Sequence, residues 1–480
     1  MVLSLVYPFS AGKRNPGFPL SIGRCLLAAS YERCLFRSWR LCSAILCRVP
    51  ALGAGWRFLG KDCLAVSGGR LTMGIGRRLL LGICLAVLVL LSGSFSPSRA
   101  QETKSSACVS CHERTTPGIV ADWQSGKMAK IVDCSGCHGS RHTAAADTNL
   151  AVMPTAKECG LCHPTQADRF AQGKHSLAWT AMEAMLRTAH QPRGIIEGGK
   201  GCGGCHRIGL DSGKCDSCHT RRKFSVAEAR NPLACTTCHM GFDHPHWEMW
   251  STAKHGVIYQ MEPTGSRAPT CQRCHMPGGD HRVMTAWGFL AVRLPAPDPE
   301  WEAWQTTILK GLGVLDPDGK PTPRLELVKA GKVARLTAEE WQAERQAMLS
   351  NCTACHSQQY AKASLDAADS IIRSSDQLMA EVIDTVAGLY KDGLIKQAPD
   401  QPYSYPDLLV FYDARTPIER KLYEMFLEHR MRTFEGAFHM SPDYMHWYGW
   451  APMRTTLVEI KEEAQRVRAA GDEKRTPAAE

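Results

Sequence analysis

One five-residue pattern recurs eight times in this chain: cysteine, two variable residues, cysteine, histidine. The sets are Cys108, Cys111 and His112; Cys134, Cys137 and His138; Cys159, Cys162 and His163; Cys202, Cys205 and His206; Cys215, Cys218 and His219; Cys235, Cys238 and His239; Cys271, Cys274 and His275; and Cys352, Cys355 and His356. Two thiols at this spacing add to the two vinyl groups of a haem, and the adjacent imidazole binds its iron from the proximal side. A single copy also suits a zinc knuckle. Eight copies between Cys108 and His356 point to eight covalently bound c-type haems. The other cysteines agree: of 22, only Cys25, Cys34, Cys42, Cys47, Cys63 and Cys84 lie outside the motifs, and all precede Gln101.

Ten histidines remain once the motifs are set aside: His142, His175, His190, His244, His246, His255, His281, His429, His439 and His446. A second imidazole on the distal side makes a haem low-spin and suited to passing electrons. If one haem stays open for a substrate, seven distal ligands are needed. The expected set is His142, His175, His190, His255, His281, His439 and His446. His244 and His246 directly follow the sixth motif, and His429 lies in the charged run Glu428-His429-Arg430, so these three are spare. Eight ligands could also be drawn from the ten, which keeps a purely electron-carrying protein as an alternative.

The elements that must position these groups follow from spacing. The first six motifs begin 26, 25, 43, 13 and 20 residues apart. That leaves room for short helices and loops on haems and little for sheet. Pro295–Pro299 and Asp316–Pro323 read as turn segments. Beyond His356 the pattern changes to long helices. Ala361–Tyr390 has helical apolar spacing and should stop at Gly393 and Pro399. Thr416-Pro417-Ile418-Glu419 is a capping-box start that continues over Arg420–Phe438. Ala451–Ala470 repeats the pattern and should end at Gly471. The expected fold is mainly α: a haem-binding region over 101–356 and a C-terminal long-helix bundle over 357–480.

The first hundred residues read differently. Met73 opens an export signal with Arg77 and Arg78, the apolar run Leu79–Leu91, and Ser98-Arg99-Ala100 before a cleavage point at Gln101. An uncleaved anchor is the alternative for 73–100. Residues 1–72 read as an over-extended gene start or a processed leader, with a basic N-terminal domain as the alternative. They carry +8 of the formal +10, and residues 73–100 carry +3, leaving −1 for the rest. The basic balance therefore gives no reason to expect nucleic acid as a partner. Export agrees with covalent haem attachment, and the expected location is the periplasm, in soluble form.

The eight motifs at this spacing, the segment CHMGFDHPHWEMWSTAKHG and the late segment AFHMSPDYMHWYGW resemble the octahaem hydroxylamine oxidoreductase family over Ala107–Ala470. Related multihaem nitrite reductases place C-x-x-C-K at their catalytic haem, whereas every motif here ends in histidine. The resemblance implies that the fourth haem, on Cys202, Cys205 and His206, is catalytic and open. It implies that an Asp-His pair, matching Asp243 and His244, relays protons from the substrate. Asp243 also suits a turn-capping role before Pro245. Oxidative members cross-link a tyrosine from a neighbouring subunit to that haem, for which Tyr444 and then Tyr448 are the candidates, with aromatic packing as their plainer role. The implied assembly is a homotrimer. The implied activity is oxidation of hydroxylamine to nitric oxide or nitrite, with electrons passing to a cytochrome c. The alternatives are reduction of nitrite or hydroxylamine to ammonia, hydrazine oxidation, and electron transfer alone.

Overall fold

A computed structural model describes residues 107–475 apart from 184–191, 197–200, 242, 265–266 and 411–412. The expected leader and export signal, and the candidate ligand His190, lie outside the described residues.

Each motif folds into a single helical turn. The histidine N–H bonds back to the carbonyl of the first cysteine at 2.9–3.0 Å in the second to sixth and the eighth motifs. Residues i, i+3 and i+4 of such a turn share one face, so both thiols and the imidazole point the same way. The segments between are short. Helices α1 (Ala107–Thr115) and α2 (Pro117–Ser125) are among the longer ones in this half. Helix α3 (His246–Thr252) and helix α4 (Lys254–Met261) follow the sixth motif. Among the described residues there is no strand, only isolated bridges at Arg293–Arg335 and Leu315–Pro321.

Longer helices carry the apolar core. Helix α5 (Pro299–Gly311) starts where Asp298 accepts from the Trp301 N–H at 2.8 Å. Helix α6 (Ala338–Cys352) starts at the Thr337 cap and delivers the eighth motif at its end. Helix α7 (Gln358–Lys391) buries a stripe that includes Leu365, Ile372, Met379, Ile383 and Val386, a 3–4 residue spacing. It ends as the spacing predicts: Gly393 takes φ +71° and its N–H reaches Tyr390 O. Helix α8 (Pro417–Glu424) begins at the expected capping box, with Thr416 Oγ1 accepting from the Glu419 N–H. A π-helical turn (Met425–Arg430) carries it into helix α9 (Met431–Phe438). A second π-helical turn (Met445–Trp450) opens helix α10 (Ala451–Arg475). The expected stop at Gly471 does not occur: the helix runs one turn further, and the glycine instead leaves room for Leu394, whose Cδ2 a Cβ there would meet.

The division at residue 356 is not a boundary in space. The described residues from Ala107 to Arg475 form one compact unit. Leu290, Val292, Ile308, Leu309 and Leu312 pack in one core with Met379, Ile383, Leu422, Phe426, Met453 and Ile460. Fully burying each of these side chains contributes about 1.5–3 kcal/mol. A buried polar knot fixes the register. Arg430 and Asp376, both fully buried, pair at 2.7 Å. Trp301 and Gln305 donate to the second Asp376 oxygen at 2.8 and 3.1 Å. The Arg430 guanidinium also donates to Leu290 O and Ala291 O.

Candidate haem chamber and redox site

The short helical turns surround one cavity of about 2630 Å³. An ordinary small-molecule pocket holds roughly 300–1,000 Å³. Seven motif histidines line the cavity, from His112 to His275; His356 lines a separate recess of about 310 Å³.

Five of the seven expected distal histidines face a motif histidine, four of them across this space. His142 faces His112, His175 faces His239, His281 faces His219, His255 faces His356 and His439 faces His275. Their ring centroids are 6.0–6.4 Å apart. Two metal–nitrogen bonds of about 2 Å, plus about 1.1 Å from each nitrogen to its ring centre, give roughly 6.2 Å. The separation is that of two imidazoles with one iron between them.

The opposite ring nitrogens are held to match. Motif histidines His138, His206 and His275 donate Nδ1–H to the carbonyls of Val152, Ala178 and Met284 at 2.7–2.8 Å. His112 donates to the Thr116 hydroxyl at 2.7 Å. On the distal side, His142 donates to Asp147, His281 to Gly279 O and His439 to Glu435 O. A proton fixed on Nδ1 leaves Nε2 bare for a metal. The residues fit covalent bis-histidine haem.

One expected ligand is placed otherwise. His446 is exposed on the second π turn, its ring edge-on to Trp447 at 4.7 Å, and lines neither cavity. The proline, aromatic and glycine pattern around it builds a surface turn, which a search for histidines alone does not register. Among the described residues, five motif histidines have an imidazole opposite them, and His138, His163 and His206 have none. His429 is half-buried and meets the Thr456 hydroxyl at 3.3 Å, a packing role.

Neighbouring thiols give the order of the motifs in space. Cys134 lies near Cys108, and Cys137 near Cys159 and Cys162. Cys159 touches Cys215, and Cys218 neighbours Cys235. Cys238 touches Cys205, Cys235 touches Cys271, and Cys274 neighbours Cys352. The sixth motif is thus a junction. One arm runs through the fifth, third and second motifs to the first. Another runs through the seventh to the eighth, and the fourth branches off alone.

Asp243 and His244 stand at the sixth motif, where the His244 ring meets His239 edge-on with centroids 5.6 Å apart. They follow the sixth motif in sequence, and the sixth motif's Cys238 lies against Cys205. Both residues line the chamber shared with Cys202, Cys205 and His206. His244 Nδ1 donates to Asp243 Oδ1 at 2.5 Å. Burial pushes the Asp243 carboxyl up, but the bond and charge of His244 outweigh it and hold the acid below its usual range. Burial pulls His244 down, but Asp243 outweighs that and raises the imidazole above its usual value. Both shifts favour an aspartate–imidazolium pair. Phe289 packs edge-on to His244 at 6.5 Å. The reading of the residues alone overlooked Glu435, fully enclosed near both, whose carboxyl burial raises well above the ordinary range. Its signal was an acid within the apolar run Thr433–Phe438.

Tyr444 and Tyr448 stack on each other at 4.7 Å, outside the chamber. The close approach of the second π turn to α9 places them. A Cβ at Gly449 would lie 2.5 Å from the Thr433 backbone nitrogen.

Residues 104–284 and 324–402, together more than half of the chain, match the family described as seven times multi-haem cytochrome CxxCH. The chain belongs to that family. This multihaem cytochrome is also 29% identical over 461 residues to a "Probable nitrite reductase-hydroxylamine oxidoreductase fusion protein" of Kuenenia stuttgartiensis. The match covers 75% of this chain but 51% of the relative, so the cytochrome spans about half the length of that curated protein. Its structure resembles the "reducing HAO-like protein complex Kustc0457/Kustc0458" of the same organism, with a TM-score of 0.60 and 27% identity over 77% of this chain and 86% of that one. A "Hypothetical multiheme protein" shares the fold at a TM-score of 0.58 and 20% identity, covering 78% of this chain and 97% of its own. The multihaem cytochrome is therefore a mainly helical redox protein of c-type haems, similar to hydroxylamine-oxidoreductase-like proteins.

Proposed function

We propose that the protein carries eight haems, one per motif, and oxidises hydroxylamine to nitric oxide or nitrite at the fourth. The observation that carries this reading is the Asp243–His244 pair at His239, in a chamber that also holds His206, which faces no described imidazole. When bound, the fourth haem supplies an iron that takes the substrate nitrogen and receives its electrons. His206, anchored through Ala178 O, holds that group from the proximal side. Oxidation to nitric oxide releases three electrons with the three protons of the N–H and O–H bonds; oxidation to nitrite takes up one water and releases four electrons with five protons. His244 accepts them at Nε2, and the Asp243 carboxylate at Nδ1 orients the ring and stabilises its charged form. Phe289 packs edge-on against the His244 ring of the pair. Three or four electrons leave through the sixth motif and its two arms to a small cytochrome c.

The signal over residues 73–100 supports export to the periplasm. No helix among the described residues is long and apolar enough to cross a membrane. Exposed Trp447 and Tyr448 with half-buried Tyr444 form an aromatic ledge suited to the homotrimer that the family resemblance implies, each subunit offering Tyr444 or Tyr448 to its neighbour's fourth haem.

The second reading is reduction of nitrite or hydroxylamine to ammonia. It is favoured by the word "reducing" in the description of the similar complex. Purified holoprotein separates the two. Hydroxylamine-dependent reduction of cytochrome c supports oxidation. Ammonia formation from nitrite with a reduced dye, without the first activity, replaces it with the reductive reading. Neither activity in a fully haem-loaded protein leaves electron transfer alone.

A further inference from the structure

His246 is left over by the haem pairing, yet both its ring nitrogens are engaged. Its ring stacks on His239, the motif-six histidine, with centroids 5.0 Å apart and Nδ1 3.0 Å from Nδ1. Its Nε2 lies 3.1 Å from Glu435 Oε1. The other carboxyl oxygen of Glu435 is buried and meets no polar partner. His138, His206 and His275 rest their Nδ1 on backbone carbonyls instead.

The direction of these bonds follows from the iron site. An imidazole that gives Nε2 to a metal keeps its proton on Nδ1, so His239 must donate. His246 Nδ1 therefore accepts, its proton sits on Nε2, and that N–H donates to Glu435. No nitrogen of His246 is left for a metal. Its centroid distances to His239 and His439, 5.0 and 5.3 Å, also fall short of the 6.0–6.4 Å of the paired imidazoles.

We propose that His246, oriented by Glu435, is a positioning residue that lowers the reduction potential of the haem on Cys235 and Cys238. An imidazole nitrogen is a stronger acceptor than a peptide carbonyl, and the Glu435 carboxyl polarises it further. A stronger acceptor at Nδ1 makes His239 a more basic ligand, and a more basic ligand favours the oxidised iron. The placement matters because the sixth motif is the junction through which electrons from the fourth reach both arms. The inference rests on haem at the sixth motif, and not on which substrate the fourth one takes.

The test is a potentiometric titration of purified holoprotein, followed optically and by EPR. His246→Phe keeps a ring of similar volume and removes the acceptor. One one-electron step should move to higher potential by more than any other, with haem content and low-spin signals unchanged. Glu435→Gln keeps His246 and weakens its support, so the same step should move the same way by less. An unmoved set of potentials in both variants overturns the proposal. So does a new high-spin signal in His246→Phe, which would make His246 an iron ligand. If His246→Phe does not mature, Glu435→Gln decides alone, and an unmoved step refutes the idea. Hydroxylamine turnover is read separately. Lost turnover with unchanged potentials bears on the substrate reading, while shifted potentials in a protein inactive on hydroxylamine still support this one.

Discussion

Asp243→Asn keeps the shape of the proton-relay pair and removes its charge, and His244→Ala removes the base itself. Each should lower hydroxylamine turnover by about 10²-fold or more, the scale of a lost general base. Haem content should stay at its wild-type value. The pH dependence has a definite sign. His244 must be neutral to accept a proton, and Asp243 raises its pKa, so wild-type turnover should climb with pH along a limb above the ordinary histidine value of about 6.5. In Asp243→Asn that limb should move to lower pH. A limb that stays put in the variant assigns the titration to another group. The distal pairs make a second prediction at this scale. His142→Ala should convert one low-spin haem to high-spin in the EPR spectrum, because His142 is the imidazole opposite His112. His446→Ala should convert none within a single chain.

At the scale of elements, the haem-bearing half and the helical half meet at Asp376 and Arg430. Asp376 on α7 collects Arg430, Trp301 and Gln305. Arg430 in turn holds the carbonyls of Leu290 and Ala291. Asp376→Ala leaves a guanidinium buried without its counter-charge, a loss of about 3–5 kcal/mol for a pair broken from one side. The denaturant midpoint of the holoprotein should fall accordingly, with α7 and α9 losing helicity together in circular dichroism. A midpoint equal to wild type would show that the knot is not what joins the halves. The π turn Met425–Arg430 serves this joint, since it brings Arg430 under the 290–291 backbone while Leu427 faces the chamber.

For the whole molecule, the order of motifs in space explains how one substrate site can serve two exits. The fourth motif touches only the sixth among the thiol neighbours described above, and the sixth opens to both arms. Intact mass should equal the polypeptide from about Gln101 plus eight haems. Residues 1–72 found on the exported protein would overturn the processing. If Tyr444 bonds to a neighbour's fourth haem, denaturing electrophoresis should show an oligomer that survives boiling and thiol reductant, and Tyr444→Phe should collapse it to monomer. The same substitution at Tyr448 tells the two stacked rings apart. A wild-type protein running wholly as monomer would remove the cross-link and make the reductive reading the first choice.

Haem attachment was determined by the sequence alone, because both thiols and the proximal histidine sit within five residues and one helical turn aligns them. The C-terminal end of α7 and the start of α8 were equally local: Gly393, Thr416 and Glu419 act on the backbone within four residues of themselves. Distal ligation is different in kind. His281 lies six residues after His275 yet serves His219, and His439 crosses from α9 to reach His275. No local rule assigns such partners, since the distances arise only when separate turns close around one chamber. The same holds for His246 and Glu435, which are 189 positions apart and meet only because α3 packs against α9. Gly471 shows the limit from the other side: glycine allows a helix to stop, but here it sits within α10 and makes room for Leu394, a contact that only packing reveals. Chemistry carried by neighbours in the chain was legible; chemistry carried by neighbours in space waited for the packing.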